Sequence, residues 1–312
     1  MERSAVTVVI VHRDESARCL RSIEAFRAQD VAVEIIVVDN GSELAHLRPL
    51  RASGATILEV GYNAGFGPGA NAGLRYWLAA GHGPWVLVAP HDARPRPGCL
   101  RRLIEEVEGY GGVGLASAEF GPDFELVPAL DRVIGAYYRP ASRGDGWQAV
   151  DYPHGTLLLA RREALLDVGL FDERYFAYCE EADLAIRARR RGWAVGLVWG
   201  AVVDNDRLPD RRVADYLQLR NTLLLVRSHF GRWPATVRAT YALGRVVARA
   251  ARADSRAQGT SVPEARALLD FVRGRFGPPP PQLFAPSSPR SRRRGSPGTI
   301  AAGRRVVRAY WR

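Results

Sequence analysis

Hydrophobic positions in this chain fall into short unbroken runs, separated by stretches of helical period. Residues 5–11 (AVTVVIV) form a continuous apolar run rich in β-branched residues, as in a strand buried on both faces. Residues 34–38, 56–60 and 85–89 repeat the pattern. Between the first two runs, Leu20, Ile23 and Phe26 recur at helical spacing with Arg18 and Arg21 outward, and Ser16 stands where an N-cap is expected. Helices are also predicted after residue 65, to about residue 80, and over residues 98–108. Four β-α units in succession predict a parallel sheet with helices on both faces. Residues 109–151 lose this regularity and are rich in Gly, Pro and aromatic residues. Residues 154–162 read as a strand entering a helix, residues 180–191 as a helix stopped by Gly192, and residues 213–227 as a further helix.

Polar motifs stand at the ends of the apolar runs. Asp39-Asn40-Gly41-Ser42 closes the second, residues 61–74 (GYNAGFGPGANAGL) follow the third, and Pro90-His91-Asp92-Ala93 closes the fourth. In an open α/β sheet, ligands bind at the carboxyl ends of the strands. The glycine-rich stretch opens a helix, and Pro68 suits a first helical turn. Gly65, Gly67 and Gly69 allow positive φ or close approach to a ligand, and such a helix start favours an anion. A tight loop without a ligand would look the same; Asn63 and Asn71 add amides that can both donate to and accept from a nucleotide or sugar. Further on, Glu180-Glu181-Ala182-Asp183 places carboxylates at a helix start. That arrangement suits either helix stabilisation or acid–base chemistry.

Composition alters this picture in one place. The chain of 312 residues carries a formal charge of +11, and every basic residue is arginine. Residues 1–230 hold 27 arginines against 30 acidic residues, whereas residues 231–312 hold 17 against 3. The body is near neutral and the basicity belongs to the C-terminal part. Arg238, Arg245, Arg249, Arg252 and Arg256 form one helical stripe, with Leu243, Val246, Val247 and Ala250 on the other side. This reads as a basic amphipathic helix, either lying on an anionic membrane or packed on the body with a solvated basic face. Residues 277–296 have the composition of a disordered linker, and residues 299–312 could form a last short basic helix. No apolar run is long enough to span a membrane, and no signal peptide is expected. Three scattered cysteines suit a reduced, cytosolic chain without structural zinc.

In sequence order, these motifs resemble the family 2 glycosyltransferases of the GT-A fold, and most closely their rhamnosyltransferase-like bacterial branch. The matching pieces are the first strand, Val38–Ser42, Asn63–Gly67 with Asn71, the Asp92 turn, residues 155–162, Gly169–Glu173, the acidic triplet and Arg220-Asn221. The resemblance implies a GT-A domain over residues 1–230, with a helical basic extension at 231–276 and a basic tail at 277–312. It implies an inverting transfer of a sugar from a dTDP-rhamnose or UDP-sugar donor to a glycan, lipid-linked or small-molecule acceptor, in cell-wall or polysaccharide biosynthesis. Asp39 would contact the nucleotide base. Asn63, Gly65, Phe66 and Asn71 would line the nucleotide pocket. Asp92 would hold the ribose and a Mg²⁺ or Mn²⁺ ion. Glu181 would be the catalytic base, with Asp183 as runner-up. Glu180, His154 and Arg220 would lie on the acceptor or phosphate side, although a structural role for His154 and Arg220 fits as well. The expected location is cytoplasmic, extended by peripheral contact with the inner face of the membrane through the arginine-rich end.

The sequence departs from the family pattern at three points. His12-Arg13-Asp14-Glu15 replaces an Asn/Tyr-rich segment. Pro90 leaves Asp92 as the one carboxylate of its motif. Asp204 stands where a histidine is usual, and is expected to assist Asp92 with the metal. Other readings are a catalytically degenerate nucleotide-sugar-binding protein, a sugar nucleotidyltransferase, which lacks its glycine-rich loop after the first strand, and a nucleic-acid-binding protein, which the near-neutral body and absence of a motif disfavour.

Overall fold

The structure is a computed structural model that describes residues 5–81, 83–121, 126–206, 211–251 and 258–283. The chain runs β1 (Val6–His12), α1 (Ser16–Arg27), β2 (Val33–Asp39), α2 (Leu44–Arg51), β3 (Thr56–Glu59), α3 (Phe66–Ala80), β4 (Trp85–Pro90), β5 (Ala93–Pro95) and α4 (Cys99–Tyr110). It continues with β6 (Val113–Phe120), β7 (Leu126–Asp131), β8 (Gly135–Pro140), β9 (Gly146–Ala149), β10 (Leu158–Arg161), α5 (Arg162–Val168), α6 (Glu180–Arg190), β11 (Ala194–Asn205), α7 (Arg211–Phe230), α8 (Arg232–Ala251) and α9 (Gln258–Val272).

The main sheet has the order β3-β2-β1-β4-β10-β6-β11-β5, with β9 also paired to β11. β3, β2, β1 and β4 are parallel, in register from Val6 opposite Val33 to His12 opposite Asp39. β10 then enters antiparallel between β4 and β6. The sheet is therefore mixed with a parallel half, as the β-α repeats predict for residues 5–110. Alternation along the strands divides the core. Val8 and Ile10 face a layer completed by Ile23 and Phe26 of α1 and Leu103 of α4. Val9 and Val11 face the other layer, with Leu74 and Trp77 of α3 and Leu184 of α6. Each fully buried aliphatic side chain contributes roughly 1.5–3 kcal/mol.

Several local expectations are corrected. Residues 109–151, read as irregular, contain β6, β7, β8 and β9; β6 is buried over most of its length. α2 carries Pro49 within it and gave no clear helical signal. Ser16 does not cap α1: Glu15 occupies the cap position, and the Ser16 hydroxyl meets His46 Nδ1 at 3.1 Å.

Residues 1–279 form one compact unit that includes the three C-terminal helices α7, α8 and α9. α8 has a different orientation from the one expected. Arg249 pairs with Glu264 of α9, and Arg245 lies 3.9 Å from the same carboxylate. Leu243 and Val247 face solvent, with Trp233 exposed at the start of the helix. Its solvated face is thus largely apolar. Among the described residues no helix is long and apolar enough to cross a membrane. The expected linker and last helix at 284–312 lie outside the described residues, as does the end of the arginine stripe at Arg252 and Arg256.

Candidate active site

The carboxyl ends of β1, β2 and β4 build the floor of the site. β2 ends at Asp39, which is 1 % exposed and opposite His12 in the parallel register. Glu15 N–H donates to His12 Nε2 at 3.2 Å, so His12 Nδ1 carries the proton and donates to Asp39 Oδ1 at 2.9 Å. The Ser42 hydroxyl also donates to Oδ1, and Ser42 N–H donates to Oδ2 at 2.9 Å. Burial alone would raise the Asp39 pKa, but the bonds from His12 and Ser42 outweigh it and hold the carboxyl below its usual value. Asp39 therefore first organises its own turn. At the end of β4, His91 N–H donates to Val11 O at 3.1 Å, and its ring stands edge-on to His12 with centroids 5.5 Å apart. Asp92 follows, buried at this edge.

The glycine-rich stretch is fastened to this floor. Asn63 Oδ1 accepts Gly65 N–H at 3.2 Å, and Asn40 Nδ2 donates to Gly65 O at 2.7 Å. Gly65 has φ +97°, and a Cβ there would come within 2.4 Å of Phe176 O. The close approach that requires glycine is thus to another segment of the protein rather than to a ligand. Gly67 N–H donates to the same Phe176 carbonyl at 3.2 Å, and Pro68 has no N–H, so the expected anion cradle at the start of α3 is drawn into internal bonds. Phe66 is half-buried against the core. Asn71 also departs from its expected role. Its Nδ2 donates to Phe171 O at 2.9 Å and its Oδ1 accepts Phe171 N–H at 3.0 Å, so the amide pins a segment one hundred residues away and is not presented to a nucleotide.

The opposite wall is the segment from Tyr175 to Glu181. Phe176, Tyr178 and Cys179 have φ of +66°, +71° and +72°, a left-handed conformation that side chains other than glycine rarely adopt. Asn221 of α7 holds this segment. Its Nδ2 donates to the carbonyls of Tyr175, Ala177 and Tyr178 at 2.7, 2.7 and 2.9 Å. Arg220 is 1 % exposed and donates to Tyr175 O, Asn221 Oδ1 and the Tyr216 hydroxyl. It supports the segment from behind, the structural role that the sequence left open beside contact with phosphate or acceptor.

Three carboxylates follow, with different fates. Buried Asp183 is bound by partly buried Arg187 at 2.8 Å and by His229 at 2.7 Å. It is committed to structure, which corrects its candidacy as base. Glu180 is buried against Gly67, whose added Cβ would lie 3.5 Å from its Cγ. Burial and the neighbouring Glu181 raise its pKa well above the carboxylate range. Glu181 is half-buried beside Gly155, and its Oε2 has no hydrogen-bond partner among the described residues. Burial pushes its pKa up to about 7.

Two tyrosines lie within electrostatic range of this carboxylate, Tyr138 in the stretch read as irregular and Tyr152 just beyond it. Tyr138 and Tyr152 both feel its charge, and Tyr138 stands edge-on to Tyr152 and to His154 with centroids 6.1 Å apart. His154 stacks on Phe120, its Nδ1 accepts Thr156 N–H, and burial lowers its pKa to about 4. It is a neutral wall residue.

Metal ligation rests on fewer groups than expected. Arg96 takes both carboxylate oxygens of Asp204, at 2.8 and 3.1 Å, so Asp204 is not offered to a metal beside Asp92. No group of three or more His, Cys, Asp or Glu side chains able to hold a metal exists among the described residues. Asp92 alone fits an ion that takes most of its ligands from a donor diphosphate and water.

A mixed sheet with a parallel half and an aspartate turn at its carboxyl edge is the architecture of the GT-A glycosyltransferases. The sequence agrees: the model of glycosyl transferase family 2 matches residues 7–169, just over half of the chain, and the chain belongs to that family. The protein is a glycosyltransferase. It is 27% identical over 253 residues to the N-acetylglucosaminyl-diphospho-decaprenol L-rhamnosyltransferase of Mycobacterium tuberculosis, covering 68% of this chain and 81% of that one. It is 26% identical over 212 residues to the low-salt glycan biosynthesis hexosyltransferase Agl10 of Haloferax volcanii, covering 64% and 69%. Among solved structures, it resembles the mannosyltransferase PcManGT from Pyrobaculum calidifontis in complex with GDP-Man and Mn²⁺, with a TM-score of 0.56, 17% identity and 88% and 87% coverage. GalNAc-T7 with UDP, GalNAc and Mn²⁺ gives a TM-score of 0.59 at 14% identity; the match covers 72% of this chain and 48% of that one.

His12, Asn40 and Asn221 are the site residues that sequence reasoning passed over. Asn221 was visible only as half of an Arg-Asn pair. His12 offered a signal, as a polar residue closing a strand otherwise buried on both faces.

Proposed function

We propose that this protein transfers a deoxysugar or hexose, rhamnose foremost, from a dTDP- or UDP-linked donor to a lipid-linked glycan acceptor with inversion at the anomeric carbon. The observation that carries the reading is Glu181: a carboxylate whose Oε2 has no hydrogen-bond partner among the described residues, near Tyr138 and Tyr152, with a pKa that burial pushes up to about 7. A general base works best with a pKa near the operating pH. Deprotonated Glu181 takes the proton of the acceptor hydroxyl as that oxygen attacks the anomeric carbon from the face opposite the leaving nucleotide. Burial and the neighbouring Glu181 favour the protonated form of Glu180, which limits repulsion in the pocket. The Asp39 turn and Asn63 line the nucleotide side, with exposed Tyr62 next to Gly41 as a cover for the base. Asp92 would hold a divalent cation, which stabilises charge on the departing diphosphate. The lipid-linked acceptor is drawn from the name of the mycobacterial relative.

The test is transfer from dTDP-rhamnose, UDP-sugars and GDP-sugars with Mn²⁺, alongside thermal shifts with each nucleotide. A donor at about a hundred times its Kd stabilises by roughly 2.7 kcal/mol. A metal-dependent shift with dTDP- or UDP-sugars, and turnover abolished by Glu181→Gln, is the expected result. Turnover surviving in Glu181→Gln would remove Glu181 as base; no shift with any donor would remove the donor assignment.

A further inference from the structure

Beyond residue 230 the chain has 3 acidic residues, and one of them, Asp270 of α9, is 1 % exposed. Aspartate is rarely buried this deeply unless it is paired. Its Oδ2 accepts from the Tyr216 hydroxyl of α7 at 2.9 Å and from Arg266 Nε at 2.8 Å. Its Oδ1 has no hydrogen-bond partner among the described residues. Arg266 lies four residues away on the same helix and is partly exposed, so a pair with it needs no burial. The contact that does require burial is the one with Tyr216, and it leads toward the segment before Glu181.

The Tyr216 hydroxyl donates to Asp270, so its oxygen is left to accept, and Arg220 Nη1 donates to it at 3.3 Å. The other bonds of Arg220 go to Tyr175 O at 3.4 Å and to Asn221 Oδ1 at 3.1 Å, neither of them an anion. A buried guanidinium without counter-charge is costly in free energy. Burial lowers the pKa of Arg220, and Tyr216 together with the charge of Asp270 opposes that shift. Asp270 thus offsets a cation on another helix, with one hydroxyl between them.

Arg220 in turn orients Asn221. Its Nε donates to Asn221 Oδ1, which fixes the way the amide faces and leaves Nδ2 toward the carbonyls of Tyr175, Ala177 and Tyr178. Those carbonyls belong to the segment with positive φ at Phe176, Tyr178 and Cys179, which ends where α6 begins with Glu180 and Glu181. The chain beyond α9 grips the same segment: Gly277 N–H donates to Arg174 O at 2.8 Å, and Phe276 packs on the cluster that contains Tyr175. All of these groups lie outside the residues 7–169 that carry the family match.

We propose that Asp270 is a positioning residue for sugar transfer: acting through Tyr216, Arg220 and Asn221, it holds the segment of residues 175–179 in the backbone conformation that sets Glu181 in place. The inference rests on Glu181 as the base, and it makes the helical extension part of the active site rather than an appendage. Without the charge of Asp270, Arg220 turns toward water and the Asn221 amide is no longer oriented. The segment then relaxes, and water that reaches Glu181 brings its pKa down toward the ordinary carboxylate value.

The test compares the full chain with Asp270→Asn, which keeps the side-chain shape and removes the charge, and with Tyr216→Phe, which keeps the ring and cuts the link. Two readouts are taken: dTDP release from dTDP-rhamnose with Mn²⁺ and water as acceptor, and hydrogen exchange over residues 174–181. Each variant should lower kcat about tenfold, the loss of one buried polar link, with donor KM unchanged. Each should also move the rising limb of kcat/KM to lower pH and speed exchange over the segment. The double variant should lose no more than the worse single one, because both cut the same chain of contacts. Asp270→Glu, which keeps the charge, should recover part of kcat, and Arg266→Gln should leave kcat at the wild-type value. A lower melting temperature with kcat, pH limb and exchange all unchanged would make Asp270 a packing residue and overturn the proposal, as would losses that add in the double variant. If the wild type releases no dTDP, exchange decides alone, and unchanged exchange in both variants overturns it. A wild-type profile without a limb near 7 sinks the Glu181 reading and this role with it, whereas a limb present and unmoved by either variant sinks Asp270 alone.

Discussion

The two walls of the site are built on opposite principles. On the side proposed for the nucleotide, Asp39, Asn40 and Asn63 sit in a network where hydrogen bonds from His12 and Ser42 hold a buried carboxylate ionised. On the side proposed for catalysis, Glu180 and Glu181 each keep a buried oxygen without a hydrogen-bond partner among the described residues, after a segment with three non-glycine residues at positive φ. Binding of a nucleotide needs a rigid, satisfied surface. Proton abstraction needs a carboxylate that is not stabilised as an anion, and such a group persists only where the rest of the fold over-determines it. Asn221 supplies much of that constraint, through bonds to three carbonyls of one loop.

The largest effect expected is that of Glu181→Gln, which should lower transfer by about 10²- to 10⁴-fold while leaving the donor thermal shift intact. Asp183→Asn should instead lower the melting temperature, because it breaks the Arg187 and His229 pairs. If both variants lost turnover equally at unchanged stability, the division between a reactive and a structural carboxylate would fail.

Next in size is Asn221→Ala. Loss of the clamp should reduce kcat about tenfold or more with little change in donor KM, and should destabilise by roughly 1–3 kcal/mol as the loop carbonyls lose their donor. A KM effect alone, measured on steady-state curves, would move Asn221 from the catalytic wall to the nucleotide wall.

The pH dependence sharpens the contrast further. With Glu181 as the proposed base, kcat/KM should rise with pH to a plateau, with an apparent pKa near 7. Stability should move the other way. A carboxyl whose pKa is raised on folding contributes fully below its unfolded value and loses that contribution as pH rises through the folded one. Glu180→Gln should therefore raise the melting temperature at pH 8 relative to wild type and change it little at pH 4. Asp39 has the opposite sign: its pKa is lowered on folding, so its contribution is present at neutral pH and lost as pH falls through its depressed value.

The smallest effects come from a glycine pair. Gly65→Ala forces a Cβ against Phe176 and should lower both stability and kcat. Gly61→Ala meets open space and suffers only its positive φ, about 1 kcal/mol. Equal costs, read from denaturant midpoints, would mean that the loop does not lean on the catalytic segment.

Much of the parallel half of the sheet was legible in the chain, because buried strands demand uninterrupted apolar runs and their helices demand a 3.6-residue period. The aspartate turn, the glycine-rich stretch and the acidic triplet were legible as chemistry. Which member of each did the work was not. Asn63 and Asn71 look alike in sequence, yet only Asn71 meets the backbone of Phe171. Glu181 and Asp183 are two residues apart, yet only Asp183 meets His229 of α7. β6 escaped notice because Gly, Ala and Ser dilute its apolar run, and β7 to β9 because glycines, prolines and aromatic residues break their alternation.

By itself, the sequence determined the family, the order of the β-α units, the end of the sheet that carries ligand chemistry and the concentration of arginine beyond residue 230. These are properties of local pattern and composition. Tertiary structure alone decided which carboxylate stays without a counter-charge, which glycines serve packing, and which face of α8 meets solvent. Each depends on partners tens of residues away. A side chain's pKa, burial and freedom to react follow from what it finally touches, and a linear chain does not display that.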